Sequence, residues 1–177
     1  HKNSIVVSIS GRWGTLGQSQ PDDFIEISND DYILCRLILW RNQIRICYGN
    51  TRTIGNPRYF DIYAYPVGHP KAGQVLDFNN TPEQMELSWT VNSDGSNGMV
   101  SFKLGGITVA SGLSFLRYST TRTGAVPNNM TIRVGYWTST SCIMIMDNLN
   151  IITQGPYTPE CGDMFTVYSP GDITGPE

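Results

Sequence analysis

The sequence predicts an all-β fold, an antiparallel two-sheet sandwich. Three observations carry this. Roughly ten short apolar runs of strand composition recur along the chain, separated by turn residues. Gly (18), Pro (10) and small polar residues are plentiful, while charged residues make up only 15%, well below the roughly 25% usual for globular domains. No helical periodicity runs longer than two turns, and residues 82–87 are the best candidate for a single helical turn. A chain of 177 residues, 40% of them hydrophobic, fits one domain (1–177) with a substantial core.

The elements follow in order. Residues 4–10, SIVVSIS, read as a strand ended by a Gly-rich turn through Gly17, and residues 24–27 as a second, shorter one. Residues 32–40 and 43–48 flank Arg41-Asn42 as the clearest hairpin. With a two-residue turn, Ile33, Cys35, Leu37 and Leu39 share a face with Ile44, Ile46 and Tyr48. The opposite face carries Arg36, Ile38, Trp40, Gln43, Arg45 and Cys47. A one-residue slip would mix arginines into the apolar set, so this register is preferred.

Residues 59–65 alternate as a strand, with Phe60, Ile62 and Ala64 on one side and Tyr59, Asp61, Tyr63 and Tyr65 on the other. After a turn at 66–73, residues 74–78 are a candidate strand. Residues 86–91 and 99–104 form a second hairpin, and Gly105-Gly106 turns tightly into 107–110. Residues 113–118, 132–137 and 143–152 are further strands. The Pro- and Gly-rich tail from Thr153 holds one more apolar run at 164–168.

The four cysteines, Cys35, Cys47, Cys142 and Cys161, include no C-x-x-C pair, and there are only two histidines, so a structural zinc site is not expected. Asn79-Asn80-Thr81 and Asn129-Met130-Thr131 are glycosylation sequons in segments that read as turns. Even cysteines and sequons together suit a secreted or extracellular domain. No apolar run reaches the roughly 20 residues of a membrane span. A net charge of −3 makes nucleic acid an unexpected partner.

Charge is distributed unevenly. Residues 22–31 hold Asp22, Asp23, Glu26, Asp30 and Asp31 without a base, and residues 32–60 hold Arg36, Arg41, Arg45, Arg52 and Arg58 without an acid. Arg36, Arg45 and Trp40 share a hairpin face, with Arg41 at its turn. Guanidinium groups grip carboxylate or sulfate and an indole supports a sugar ring, so the cluster is a candidate surface for acidic glycans. The bland alternative pairs these arginines with the 22–31 acids on a neighbouring strand. Tyr59, Tyr63 and Tyr65 beside Asp61 suit neutral sugars, unless their face is the interior.

Other chemistry is weaker. The oxygen-rich segment 92–98 could hold calcium, but Lys103 stands where a bidentate acid is required, and a hairpin turn is the simpler reading. His1 with His69 could form a copper brace. Tyr63, Lys71 and Arg117 could be cast as a lyase set. No spacing demands any of these, and no Ser-His-Asp motif is present. No cofactor is expected beyond the calcium weighed here.

Residues 85–112, MELSWTVNSDGSNGMVSFKLGGITVASG, resemble the central hairpin of laminin G-like and other concanavalin A-type jelly rolls. Residues 132–151, IRVGYWTSTSCIMIMDNLNI, resemble the last pair of strands of those domains. The resemblance covers roughly residues 85–161 and is one of fold pattern. The calcium-binding aspartate of the family has no match in its expected context. The resemblance implies a Cys142–Cys161 disulfide that ties down the 153–177 tail. It leaves Cys35–Cys47 as the second pair, which the preferred register places on opposite faces. The expected function is an extracellular recognition module for a glycan or a protein receptor. A jelly-roll lyase on acidic polysaccharide and an adhesive or coat ectodomain are the competing classes.

Overall fold

The computed structural model describes residues 4–16, 23–29, 32–48, 58–79, 81–92, 98–114, 127, 129–133, 143–155 and 164–168. Among them there is no helix, and eleven strands build two sheets. The five-stranded sheet runs in the order β10 (Ile143–Gln154), β1 (Ser4–Leu16), β6 (Glu83–Asn92), β7 (Met99–Leu104), β8 (Ile107–Ser114). The six-stranded sheet runs β11 (Met164–Tyr168), β9 (Asn129–Arg133), β2 (Asp23–Asn29), β3 (Tyr32–Trp40), β4 (Gln43–Tyr48), β5 (Arg58–Ile62). The expected two-sheet sandwich is what the chain forms. All pairings between named strands are antiparallel except one, as β11 lies parallel to β9.

Alternation decides which face is buried. Ile5, Val7, Ile9 and Trp13 of β1 face Ile25, Ile27, Leu37, Leu39, Ile44 and Ile46 of the other sheet in one apolar core. Met85, Leu87, Trp89 and Val91 of β6 and Val100, Phe102 and Leu104 of β7 complete it. The register of β3 on β4 pairs Cys35 with Tyr48, Leu37 with Ile46 and Trp40 with Gln43. This is the register that keeps every arginine of the hairpin out of the core.

Several segments differ from expectation. Residues 82–87 hold no helical turn, because β6 already begins at Glu83 and pairs along β1. Residues 74–78 form no strand, and only an isolated bridge joins Ala64 to Val75. Asn129 opens β9 between β2 and β11, so its sequon does not lie in a turn. Strand β10 carries a bulge opposite Gly11, where Asn148 adopts a left-handed φ of 54°. Gly105 (φ 60°) and Gly106 (φ 79°) make the β7–β8 turn as expected, since two positive φ values suit a two-residue hairpin loop.

The second cysteine pair is corrected. Cys35 and Cys47 are free buried thiols. Cys35 lies opposite Tyr48 and Cys47 opposite Arg36, so the two side chains leave β3 and β4 on opposite faces. Cys35 joins the core, while Cys47 sits on the outer face between arginines. Cys142 and Cys161 lie outside the described residues.

Candidate functional site

The outer face of the six-stranded sheet collects the candidate binding residues. Strand pairing sets Glu26 beside Arg36, Arg36 beside Cys47, and Cys47 beside Tyr59. One step along, Phe24, Ile38, Arg45 and Asp61 form the next row. Trp40 and Gln43 begin a third. Cross-strand neighbours on one face lie close enough to interact directly.

Both arginines of the face are already paired. Arg45 donates from Nε to Asp61 Oδ1 at 2.6 Å and from Nη2 to Oδ2 at 2.8 Å. Its guanidinium carbon lies 4.5 Å from the Tyr59 ring centre and 5.1 Å from that of Trp40. Arg36 donates from Nε and Nη2 to a single oxygen, Glu26 Oε2, at 2.8 and 2.6 Å, and stacks 4.1 Å over Phe24. Pairing with an acid of the 22–31 run, weighed from the sequence as the bland reading, therefore holds for Arg36. Arg45 takes its acid from β5 instead. Arg45 holds the Asp61 carboxyl below the ordinary carboxylate range, chiefly through their hydrogen bonds.

The two clusters are related. A local two-fold axis normal to the sheet, between β3 and β4, exchanges Arg36 with Arg45, Glu26 with Asp61 and Phe24 with Tyr59 in the strand register. Each half is an arginine held by one carboxylate against one aromatic ring.

A hydrogen-bonded edge completes the open half. Gln43 Nε2 donates to Tyr63 Oη at 3.3 Å, and Tyr63 Oη donates to Asp61 Oδ2 at 3.2 Å. Tyr59 and Tyr63 are exposed. Arg41, at the hairpin turn, reaches Asp77 Oδ1 at 3.9 Å, away from this cluster. Guanidinium, carboxylate, amide and phenol thus converge between an indole and two phenol rings, the elements of a site for polyhydroxylated rings.

Tyr65 does not belong to the face. Strand β5 ends at Ile62 and the chain turns, which carries Tyr65 inward until it is 3% exposed. Its hydroxyl lies 3.2 Å from both the Asp77 carbonyl and Glu83 Oε1, and its ring stacks on His69 at 4.5 Å. Lys71 Nζ donates to Glu83 Oε1 at 2.7 Å. The Lys71 backbone N–H donates to His69 Nδ1 at 3.1 Å, and His69 Nε2 faces Glu83 Oε2 at 3.6 Å. Sequence reading missed this buried cluster, because Tyr65, His69 and Lys71 lie among loop residues with no period and meet Glu83 only at the start of β6.

Two weaker candidates fall partly on these residues. Lys71 contacts Glu83 and Tyr65, while Tyr63 contacts Gln43 and Asp61; Arg117 lies outside the described residues. His69 is packed inside the cluster, and His1 lies outside the described residues. Among the described residues no group of three or more His, Cys, Asp or Glu is placed to hold a metal ion. Residues 93–97 of the calcium candidate also lie outside them. No helix among the described residues is long and apolar enough to cross a membrane.

No family model matches the chain, and no curated protein matches it. Among solved structures it is similar to sheep galectin-11 in complex with glycerol, at 10% identity and a TM-score of 0.42, over 86% of this chain and 92% of that one. It is also similar to a family 7 alginate lyase in complex with substrate, at 13% identity and a TM-score of 0.45, over 89% of this chain. The match spans 63% of the lyase's length. At these values neither likeness carries the reading of the site, which rests on the face itself.

Proposed function

We propose that this chain is an extracellular carbohydrate-recognition module that binds a neutral sugar on the outer face of its six-stranded sheet. Trp40 and Tyr59 supply the apolar walls, and Gln43, Arg45, Asp61 and Tyr63 supply hydrogen bonds. The observation that carries this reading is the Arg45–Asp61 pair. Two short hydrogen bonds join guanidinium to carboxylate, so the arginine enters the site with its charge already balanced. An unpaired arginine would favour sulfate or uronate. A balanced one offers directed donors and acceptors to hydroxyl groups, and its aromatic flanks suit the apolar faces of a sugar ring.

The laminin G-like kinship goes with this proposal. Its support is the hairpin of β6 and β7, which runs through the residues that carried the resemblance. The extracellular setting is supported by the Asn79 sequon, on a half-exposed turn where Asn79 N–H donates to Asp77 Oδ1 at 3.1 Å.

A glycan array holding neutral, sulfated and uronate-containing structures tests the reading, with and without EDTA. Neutral glycans are expected to bind in both conditions, and binding should disappear in Trp40→Ala. Retention only of sulfated or uronate glycans would overturn the neutral assignment.

A further inference from the structure

The arginine face does not end at Arg45. Arg36 is held in the same manner, by one carboxylate and one ring, and its side chain is as exposed as that of Arg45, at 30% in each. Phe24 and Glu26, 7% and 8% exposed, form the floor beside it. Beyond them the face continues onto β9, where half-exposed Thr131 pairs with Glu26. Each guanidinium reaches its carboxylate through Nε and Nη2, so its charge is balanced. Among the described residues Nη1 of neither arginine has a hydrogen-bond partner, and its N–H groups are available to a ligand.

Strand register sets the two arginines on one diagonal of the sheet. Arg36 lies opposite Cys47, which is two residues along β4 from Arg45, so the two Cα atoms are about 7–8 Å apart. Tyr63, bonded to Asp61 and Gln43, continues the diagonal past β5. Trp40 on β3 and Tyr59 on β5 border it on either side of Arg45. That spacing is too long for two hydroxyls of one ring and suits consecutive rings of one chain. On the reading of this face as a neutral-sugar site, we propose that it holds two consecutive rings of a glycan chain, one over Arg45 and the next over Arg36. The first ring rests against Trp40 and Tyr59, and the second takes hydrogen bonds from Arg36 above Phe24. Arg36 is then the residue that makes the face prefer a chain to a free monosaccharide.

Chain length reads the second ring. Neutral oligosaccharide ladders from monomer to tetramer, built on glucose, galactose, mannose and xylose, are titrated calorimetrically into the intact protein. For the ladder that binds, affinity per mole of chain should rise about tenfold from monomer to dimer. A site for one ring gives a rise no larger than the number of rings, by statistics alone. In Arg36→Gln/Glu26→Gln, which removes both charges so that neither is left buried and unpaired, the rise should shrink to that statistical limit. Arg36→Lys keeps the ion pair but lacks the planar fork, so it should shrink the rise as well, and it stands in if the double variant does not fold. A wild-type rise within the statistical limit would overturn the second ring and leave the Arg45 site standing. A full rise kept in either folded variant would overturn the role of Arg36. A complete set of ladders with no binder would remove the sugar site and its extension together.

Discussion

Arg45 and Asp61 face each other across β4 and β5, joined by hydrogen bonds of 2.6 and 2.8 Å. The arginine plane is held against Tyr59 and Trp40 at the same time. A side chain fixed on its edge by a carboxylate and on its flanks by rings has few rotamers left to lose. Such a group meets a ligand at low entropic cost.

That pair gives the face a pH signature. The Asp61 carboxyl titrates lower in the fold than in the unfolded chain, chiefly because Arg45 hydrogen-bonds its charged form. A depressed pKa contributes stability that is present above the unfolded value, near pH 4, and is lost as pH falls through the folded value. Asp61→Asn should therefore cost about 1 kcal/mol at neutral pH, a modest figure because the pair is partly solvated. Urea unfolding of both proteins at descending pH should show the difference shrinking below about pH 4. A difference that stays constant into acid would show that the ion pair is not its source.

Tyr63 and Tyr65 should separate by phenotype. Tyr63→Ala removes an exposed ring and its bond to Asp61, so sugar affinity should fall about tenfold with the melting temperature nearly unchanged. Tyr65→Phe removes a buried hydroxyl that contacts Asp77 and Glu83, so it should cost about 1–2 kcal/mol in stability and leave affinity intact. Calorimetric titration alongside thermal unfolding reads both.

The buried cluster around Glu83 should loosen in alkali. Lys71 titrates above its ordinary value, first because of its hydrogen bond to Glu83, and burial pushes the Tyr65 phenol up. Raised pKa values contribute stability that is full below the unfolded values and is lost as pH rises through the folded ones, here above about pH 10. Glu83→Ala removes the carboxylate acceptor of Lys71 and one of the two acceptors within reach of the Tyr65 hydroxyl, and should destabilise by about 1–2 kcal/mol because Lys71 is partly solvated. Its stability should decline less steeply than wild type above pH 10. Parallel declines would detach the alkaline loss from this cluster.

Neither hairpin thiol should be reactive in the native protein. Burial pushes the Cys47 thiol up to about 11 despite the neighbouring arginines, and it raises Cys35 further. Thiolate is the reactive form. Peptide mapping after brief alkylation should find Cys35 and Cys47 unmodified under native conditions and modified in urea. A Cys35–Cys47 peptide under non-reducing conditions would contradict the register of β3 on β4.

Gly105 tests the β7–β8 turn against the same cluster. Its φ is +60°, and a Cβ there would overlap the His69 ring. Gly105→Ala should cost about 2 kcal/mol or more, from the left-handed conformation and the displaced imidazole. Gly106→Ala, where a Cβ meets nothing within 4 Å, should cost only the conformational part, about 1 kcal/mol. Equal losses in the two variants would place the strain in the turn alone.

Much of the sheet was legible along the chain. In β3 and β4 the alternation of Leu37, Leu39, Ile44 and Ile46 with Arg36, Trp40 and Arg45 leaves only one register that keeps charge out of the core. The same alternation placed Tyr59 and Asp61 beside each other on β5, and Gln43 on the arginine face. It failed at Tyr65 because it presumes that the strand continues, and the strand stops at Ile62. It had no purchase on His69, Lys71 and Glu83, which meet through turns and across to β6.

Period-two patterning is a property of adjacent residues, and it was enough to set the fold class and the composition of each sheet face. The partner of Arg45 and the inward course of Tyr65 were decided only in three dimensions. Each depends on which strands lie side by side and where a strand ends. Those outcomes are set by long-range packing, which no local pattern encodes.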